Sequence, residues 1–394
     1  MPRPRASRMG PVDVALHSVH FHVQSHRNPA PPPLRMHPDH APRLLTKPPV
    51  AAGSLAFAAV HLDHPHIYDQ CRGLIGAGAD LVWVYDPQPE RVEAFRKVFP
   101  QVRVARSLDE VLADPRVTLV TAAAIPCDRG PLGCRVMQAG KDYLTDKPPF
   151  TTLDQLAEAR RVSAATGRKY MVFFGGRLGV ECAVHAERLI REGAIGRVLQ
   201  VIGLGPHRIK KPQRPAWFFE RARYGGILCD LGSHQCDLFL AYSGSTDAEV
   251  LHAAVGNFGN PDTPELEDFG EASLLGSSGA TNHHRVDWFT PAGQSTWGDG
   301  RVFVLGTRGT IELRSFCDVA QSPQGDLLIL VDDQGEHRMS CGGKVGLPFY
   351  GDFVRDCIAR TETAMTQAQA FKSSELCLRT QAAARRVDRL PASS

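Results

Sequence analysis

The chain has 394 residues, of which 43% are apolar and 22% are charged, and its formal net charge is +3. This composition is ordinary for a globular protein, and the length favours two domains. No apolar run approaches the ~18 residues that a membrane span requires, so we expect no contact with a membrane.

Residues 1–50 differ from the rest of the chain. They contain 7 of the 45 Lys and Arg residues, 2 of the 42 Asp and Glu residues, 11 of the 29 prolines and 6 of the 16 histidines. A segment so rich in proline cannot bury enough apolar surface to offset its chain entropy, so we expect residues 1–50 to be a disordered extension. An alternative is that translation starts at Met36.

The net charge and the positions of the cysteines exclude some classes of protein. Without residues 1–50 the net charge is −2, which argues against nucleic acid as a partner. The ten cysteines are scattered and form no C-x-x-C pair, which favours free, buried thiols in a cytoplasmic protein.

A regular alternation of apolar strands and amphipathic helices begins at Leu55. We predict strands at residues 55–60, 81–85, 102–105, 117–124, 143–144 and 169–174, and helices near residues 65–76, 92–99, 108–112, 132–139 and 152–166. Ser107 with Glu110, and Thr152 with Gln155, have the spacing of helix-capping pairs. Buried strands that alternate with helices predict a parallel, doubly wound sheet, so residues 51–170 are assigned to a Rossmann-type α/β domain.

The pattern changes after Arg197, where strands follow one another with few helices between them. We predict strands at residues 198–204, 249–257, 271–276, 284–289, 302–305, 310–314 and 326–331, and final helices near residues 353–358 and 375–387. Residues 171–394 should therefore form an α+β domain with an open, mostly antiparallel sheet and C-terminal helices.

The first strand-to-helix turn is where a dinucleotide-binding fold presents glycines and a helix N-terminus to a pyrophosphate. Residues 61–66 read His-Leu-Asp-His-Pro-His, without the G-x-G-x-x-G pattern. His61 must therefore adopt a tight turn, and Asp63 must point away from a pyrophosphate. Asp86 ends the second strand, where a carboxylate can bind the adenosine ribose and repel a 2′-phosphate, which favours NAD over NADP.

The same turn has a second interpretation as a metal site. His64 and His66 form an H-x-H pair directly after an apolar strand, as in metal-dependent hydrolases built on (β/α)₈ barrels. Such a barrel would continue the strand–helix alternation to the end of the chain, and the second half does not. We therefore predict no metal.

Two further segments carry residues suited to acid–base chemistry. Lys147 lies before Pro148, which restricts its backbone and gives its ammonium group a defined direction. Asp230, His234 and Asp237 share one face of a predicted helix. A carboxylate one turn from an imidazole can orient the ring and raise its basicity, as a general base requires.

These segments resemble the glucose–fructose oxidoreductase/inositol dehydrogenase/rhizopine-catabolism (Gfo/Idh/MocA) family. The resemblance rests on Gly-Lys-x-x-x-x-Asp-Lys-Pro at residues 140–148 and Gly-Gly-x-x-x-Asp-x-Gly-x-His-x-x-Asp at residues 225–237. It extends from about residue 55 to residue 384. It implies an NAD(P)-dependent oxidoreductase acting on sugars, inositols or related polyols, whose C-terminal sheet binds substrate and forms a homo-oligomer.

The resemblance also implies roles for individual residues. Lys147, Asp230 and His234 would be catalytic: His234 takes the hydroxyl proton, Lys147 stabilises the alkoxide and Asp230 supports the base. The expected cofactor-binding residues are His61, Asp63, His64, His66, Ile67, Asp86, Ala124, Pro126, Asp146 and Lys147. The expected substrate-binding residues are Lys147, Arg177, His207, Trp217, Tyr224, Asp230 and His234, with Arg208 and Arg223 as further candidates.

The sequence departs from the family pattern at three places. The glycine-rich turn is replaced at residues 61–66, the usual Thr-Pro-Asn reads Ala-Ile-Pro at residues 124–126, and the frequent Asn-Arg-Arg reads Gly-Gly-Arg at residues 175–177. The alternative function is a ligand-sensing or accessory protein of the same fold without catalysis.

Overall fold

A six-stranded parallel sheet forms the first half of the computed structural model, which describes residues 40–319 and 324–388. Its strands are β1 (Ala56–Val60), β2 (Asp80–Tyr85), β3 (Arg103–Val104), β4 (Val117–Ala122), β5 (Asp142–Asp146) and β6 (Tyr170–Phe173). The spatial order is β3-β2-β1-β4-β5-β6, so the order reverses between β1 and β4. The predicted doubly wound parallel sheet is confirmed.

Five helices connect these strands: α1 (His66–Gly76), α2 (Pro89–Val98), α3 (Leu108–Ala113), α4 (Pro126–Gln138) and α5 (Leu153–Thr166). Both predicted capping pairs are confirmed. The Ser107 hydroxyl accepts a hydrogen bond from the Glu110 N–H at 3.1 Å, and the Thr152 hydroxyl accepts one from the Gln155 N–H at 3.3 Å. Each cap satisfies a backbone donor that the helix leaves unpaired.

Helix α4 corrects the sequence-based prediction, because it begins at Pro126 rather than near residue 132. Pro131 lies inside this helix and has no N–H to donate to the carbonyl of Cys127, four residues earlier. The side-chain amide of Gln155 donates to that carbonyl instead, at 2.8 Å. A partner 28 residues away thus makes an internal proline tolerable.

A second sheet of nine strands is found in the rest of the described chain. It contains β7 (Val198–Pro206), β8 (Ala248–Gly256), β9 (Phe269–Gly276), β10 (Thr281–Asp287), β11 (Arg301–Gly306), β12 (Gly309–Arg314), β13 (Leu327–Asp332), β14 (Gly335–Ser340) and β15 (Arg385–Arg386). The pairs β7–β10 and β8–β15 are parallel, and the other pairs are antiparallel. The prediction of a mostly antiparallel sheet is confirmed, although β14 and β15 were not predicted.

Seven further α-helices follow β6 in the described chain. They are α6 (Gly175–Leu178), α7 (Glu181–Arg191), α8 (Arg221–Tyr224), α9 (Ile227–Asp230), α10 (Gly232–Ser243), α11 (Phe349–Ala359) and α12 (Gln367–Ala383). Helix α12 returns the chain to the first half: Gln367 donates to the Tyr170 carbonyl at 2.7 Å, and Arg160 pairs with Glu375 at 2.5 Å. These contacts join the two sheets in one body.

Both predicted domain boundaries need correction. Residues 40–50 are not a disordered extension, because Leu45 and Val50 donate backbone hydrogen bonds to Val345 and Ala77 at 2.8 and 2.9 Å. The prediction for residues 1–39 lies outside the described residues. Strand β6 still belongs to the first sheet, so the first domain extends past residue 170.

The cysteines have the state that their scattered positions in the sequence predict. All ten cysteines are free thiols, and nine of them are buried. Within the described ranges, every helix is too short or too polar to cross a membrane.

Candidate functional site

A cleft with a volume of about 650 Å³ lies at the carboxyl ends of β1, β4 and β5, where it meets α10 and the second sheet. This is the edge at which ligands bind in doubly wound folds, next to the point where the strand order reverses. The predicted site residues that line it are Asp63, His64, His66, Pro126, Asp146, Lys147, His207, Trp217, Tyr224, Asp230 and His234.

Lys147 and Asp230 form an ion pair across the cleft. Lys147 follows β5 and Asp230 ends α9, and the Lys147 Nζ lies 2.5 Å from the Asp230 Oδ1. Both side chains are mostly buried. The fold thus brings together a cation and an anion that are 83 residues apart in the chain. The Lys147–Pro148 peptide bond is cis.

The predicted contact between Asp230 and His234 is not observed. Leu231 keeps helical backbone angles between α9 and α10, but the Asp230 carboxylate turns towards Lys147. The His234 Nδ1 instead accepts a hydrogen bond from the Gly176 N–H at 3.3 Å. A buried ammonium group is a stronger partner for a carboxylate than a neutral imidazole, which explains the difference.

The protonation state of His234 follows from these contacts. Burial, followed by the positive charge of Lys147, holds the pKa of His234 well below its usual value, so the ring is neutral near pH 7. Because its Nδ1 accepts from Gly176, the ring proton is on Nε2. That bond is long at 3.3 Å, and a change of tautomer would leave the Gly176 N–H without its acceptor, at a cost of about 1–3 kcal/mol.

His61 adopts the backbone conformation that a glycine-rich turn would otherwise supply. Its φ is 51°, in the left-handed region, its N–H donates to the Tyr85 carbonyl at 3.0 Å, and its carbonyl accepts from the Ala123 N–H at 3.2 Å. The tight turn expected at this position is therefore present. However, His61, Ile67 and Ala124 are not among the described residues that line the cleft.

Asp63 and Asp86 share one arginine. Arg91 pairs with Asp63, and its Nη1 lies 3.7 Å from the Asp86 Oδ2. Asp86 accepts hydrogen bonds from the backbone N–H groups of Leu62 at 2.6 Å and Gln88 at 2.8 Å, and its side chain is fully buried. Two backbone donors thus hold the Asp86 carboxylate at the end of β2, and its ribose contact stays a prediction.

His64, His66 and Asp146 converge at the floor of the cleft. The His66 Nδ1 is 3.0 Å from the Asp146 Oδ1, and the His64 Nδ1 is 3.6 Å from the Asp146 Oδ2. Arg129, which like Asp146 is buried, approaches the Asp146 Oδ2 at 3.3 Å. Burial would raise the pKa of Asp146, but His66 and Arg129 hold it well below its usual value. Burial lowers the pKa of His64, so its ring is neutral.

Aromatic side chains dominate the part of the cleft built by the second half of the chain. The His207 ring lies 4.2 Å from the Trp297 ring and 5.5 Å from the Trp288 ring, and burial lowers its pKa to about 3. The Arg214 guanidinium stacks over Trp288 at 5.0 Å. Rings and stacked cations suit a ligand with apolar C–H faces and polar edges.

Four cleft side chains have buried polar atoms with neither a hydrogen-bond partner nor an ion-pair partner among the described residues. These atoms are the Gln70 Nε2, the Trp217 Nε1, the Gln235 Oε1 and the Tyr350 hydroxyl oxygen. A buried polar group without a partner costs about 1–3 kcal/mol, so such groups indicate a polar ligand. Gln70 and Gln235 were missed from the sequence, because no motif marks a lone glutamine.

Three predicted substrate contacts lie elsewhere. Arg177 is buried against Asp237 at 2.7 Å and Glu187 at 2.9 Å and is not among the described residues that line the cleft. Arg208 donates to the carbonyls of residues 291, 294 and 296, and Arg223 pairs with Glu220 at 3.4 Å. These guanidinium groups have partners within the protein, and none of the three is among the described residues that line the cleft.

Tyr224 lines the cleft, but its hydroxyl is occupied. It donates to the Glu265 carbonyl at 3.1 Å and accepts from the Glu267 N–H at 2.9 Å. Its ring can therefore contact a ligand, while its hydroxyl group has a structural role.

Comparisons with known proteins agree with this geometry. Residues 55–174 match the model of an oxidoreductase family with an NAD-binding Rossmann fold, and residues 183–312 match the GFO/IDH/MocA C-terminal domain. A solved structure assigned as an oxidoreductase, from Erwinia carotovora atroseptica, is 46% identical with a TM-score of 0.82, over 84% of this chain and 99% of that chain.

Two curated relatives have assigned activities. A D-xylose dehydrogenase of Paenarthrobacter nicotinovorans is 30% identical over 32% of this chain and 34% of that protein. An NADP-dependent scyllo-inositol 2-dehydrogenase of Bacillus subtilis is 26% identical over 40% of this chain and 44% of that protein. The chain thus matches between a third and a half of the length of these relatives. Taken with the fold and the cleft, the two family matches establish that the chain belongs to the GFO/IDH/MocA family of oxidoreductases, which have an NAD-binding Rossmann fold.

Proposed function

We propose that the chain is an NAD(P)-dependent dehydrogenase that transfers hydride between nicotinamide and a hydroxyl group of a sugar, an inositol or a related polyol. The observation that carries the proposal is the Lys147–Asp230 ion pair beside His234, in a cleft at the ligand-binding edge of the parallel sheet. A carbohydrate ligand also agrees with the aromatic walls and with the unpaired polar atoms of the cleft.

The cleft has features that fit a dinucleotide. His61 supplies the left-handed turn after β1, and the ion pair with Arg91 neutralises Asp63, whose charge would otherwise repel a pyrophosphate. Gln70 offers an unpaired amide in the same part of the cleft. When bound, the nicotinamide accepts or donates the hydride.

The protein's own residues would handle the proton and the charge. In the oxidation direction, the Lys147 ammonium stabilises the alkoxide as the hydroxyl proton leaves, and the Asp230 carboxylate holds that ammonium in place. His234 is neutral near pH 7 and takes the proton at Nε2 once its other nitrogen carries the ring hydrogen. This change of tautomer gives up the long Gly176 hydrogen bond, at a cost of about 1–3 kcal/mol.

We propose NAD as the preferred cofactor. Asp63 and Asp86 both lie near Arg91, so this group of three side chains carries a net negative charge at the end of β2. A 2′-phosphate in that region would be repelled.

We also propose that the chain forms a homo-oligomer through the second sheet. Exposed apolar side chains on this sheet, such as Phe303 and Leu305, support the proposal.

The test is turnover of a panel of sugars, inositols and polyols by the full chain, with NAD⁺ and with NADP⁺, followed by the absorbance of the reduced nicotinamide. We expect reduction with at least one member of the panel and a preference for NAD⁺. Tight NADH binding without any turnover would favour the ligand-sensing alternative, and no binding of either cofactor would overturn the proposal.

A further inference from the structure

Contrary to the expectation from the sequence that no metal binds, we propose that His64, His66 and Asp146 form a binding site for a divalent transition-metal ion of the zinc class. The side chains bring two imidazoles and one carboxylate together, with one ligand atom from each lying within 4.8 Å of the others. Two histidines and a carboxylate are a common ligand set for such ions in proteins.

The distances match what one ion requires. Zinc lies about 2.0–2.2 Å from imidazole nitrogen and carboxylate oxygen, so two ligands in tetrahedral geometry are separated by roughly 3.4 Å. Each imidazole lies near this separation from a different oxygen of Asp146: His66 is 3.0 Å from Oδ1 and His64 is 3.6 Å from Oδ2. One ion shared by all three side chains would bind the carboxylate through both oxygens or after a small rotation of it. An ion at the His64 Nδ1 would replace its long 3.2 Å hydrogen bond from the His66 N–H.

The fold brings the three ligands together from two elements. His64 and His66 flank Pro65 at the start of α1, and Asp146 is the last residue of β5. The strands of a parallel sheet end at the same edge, and only β4 separates β1 from β5, which places the carboxylate beside the histidines although it is 80 residues away from His66. Arg129 contacts the Asp146 Oδ2 and fixes its orientation, as metal-binding carboxylates are commonly fixed.

The charges around Asp146 favour a bound metal ion over a simple ion pair between Asp146 and the histidines. Arg129 already supplies Asp146 with a buried cationic partner at 3.3 Å. The two imidazoles therefore exceed what the carboxylate needs, and imidazole nitrogen is the commonest side-chain metal ligand in proteins. Three protein ligands leave at least one coordination position for water or for an oxygen atom of a molecule in the cleft.

A second group of similar composition provides a matched control. His337 and His40 lie 3.4 and 3.6 Å from the two oxygens of Asp332, outside the cleft. Substitution of His337 removes an imidazole from this group and leaves the cleft unchanged. The six histidines of residues 1–50 could also bind metal, but they are present in every variant. The difference in bound metal between two variants therefore reports the substituted residue alone.

The experiment is a cobalt(II) titration of the full, tag-free chain after treatment with a chelator, followed by visible absorption and by metal analysis. We expect His66→Ala and Asp146→Asn to lose about one bound ion per chain relative to the wild type, and His337→Ala to keep it. His66 is about half exposed, so His66→Ala should fold, which thermal unfolding checks. No cobalt binding by the wild type, or equal binding by His66→Ala, would overturn the proposal whether or not the chain binds NADH.

Discussion

Lys147 and Asp230 form one of the ion pairs that connect the two halves of the molecule. Their 2.5 Å contact is mostly shielded from water, where electrostatic interactions are stronger than at the surface. The pair also explains why Asp230 does not touch His234. The position of each charged group in the cleft therefore depends on the ion pair that it forms.

Substitution of Lys147 should separate turnover from cofactor binding. We expect Lys147→Met to lower kcat by about 100-fold to 10,000-fold, because the alkoxide loses its positive partner, while the NADH affinity stays within about threefold. The measurement combines steady-state kinetics with an NADH fluorescence titration. Lys211→Met, at a lysine outside the cleft that pairs with Asp262, is the control and should retain activity. An unchanged kcat in Lys147→Met would contradict the assigned role.

Arg177 shows how one buried cation can hold several helices together. It extends from α6 to Asp237 on α10 and Glu187 on α7, and Asp237 also accepts hydrogen bonds from Gln369 and Ser373 of α12 at 3.3 and 3.2 Å. The position of α10, and hence of His234, depends on this network. Its role is therefore structural.

Removal of this cation should destabilise the protein without a specific effect on substrate binding. We expect Arg177→Met to lower the free energy of unfolding by about 3–5 kcal/mol, because Asp237 becomes a buried charge without its ion pair. Urea unfolding measures the change. Arg191→Met on α7 removes an exposed arginine 3.9 Å from Glu187 and should leave stability nearly unchanged. Equal stability of the two variants would argue against the structural role.

Local sequence signals predicted the elements, and long-range contacts account for the errors. The capping pairs at Ser107 and Thr152 act within one helical turn, so spacing alone identified them. The start of α4 was missed because Gln155 compensates for Pro131 from another helix. In the site, Lys147 and His234 were found from motifs, but the partner of each polar side chain depends on the three-dimensional fold.

Several buried histidines make the stability of the whole molecule sensitive to acid. Burial lowers the pKa of His185 to about 4 and the pKa values of His207 and His284 to about 3. In the unfolded chain these groups titrate near pH 6.5. Below that pH the unfolded state therefore binds more protons than the folded state, and the free energy of unfolding falls as the pH decreases.

Substitution of one of these histidines should reduce this acid sensitivity. Each contributes up to about 1.4 kcal/mol per pH unit between about pH 6.5 and its lowered pKa. We expect His284→Gln to reduce the loss of stability between about pH 6.5 and about pH 5 by up to about 2 kcal/mol, as measured by urea unfolding. His252, which is half exposed, is the control, and His252→Gln should keep the wild-type slope. An unchanged slope in His284→Gln would contradict the argument.

The measurement that tests the proposed function most directly is a calorimetric titration of the full chain with NADH. A dehydrogenase with its cofactor site between β1 and α10 should bind one NADH per chain, with an affinity in the micromolar range. An added carboxylate at position 70, in Gln70→Glu, should weaken this binding because it would face the pyrophosphate. Absence of NADH binding at millimolar concentration, in a folded sample, would contradict the account.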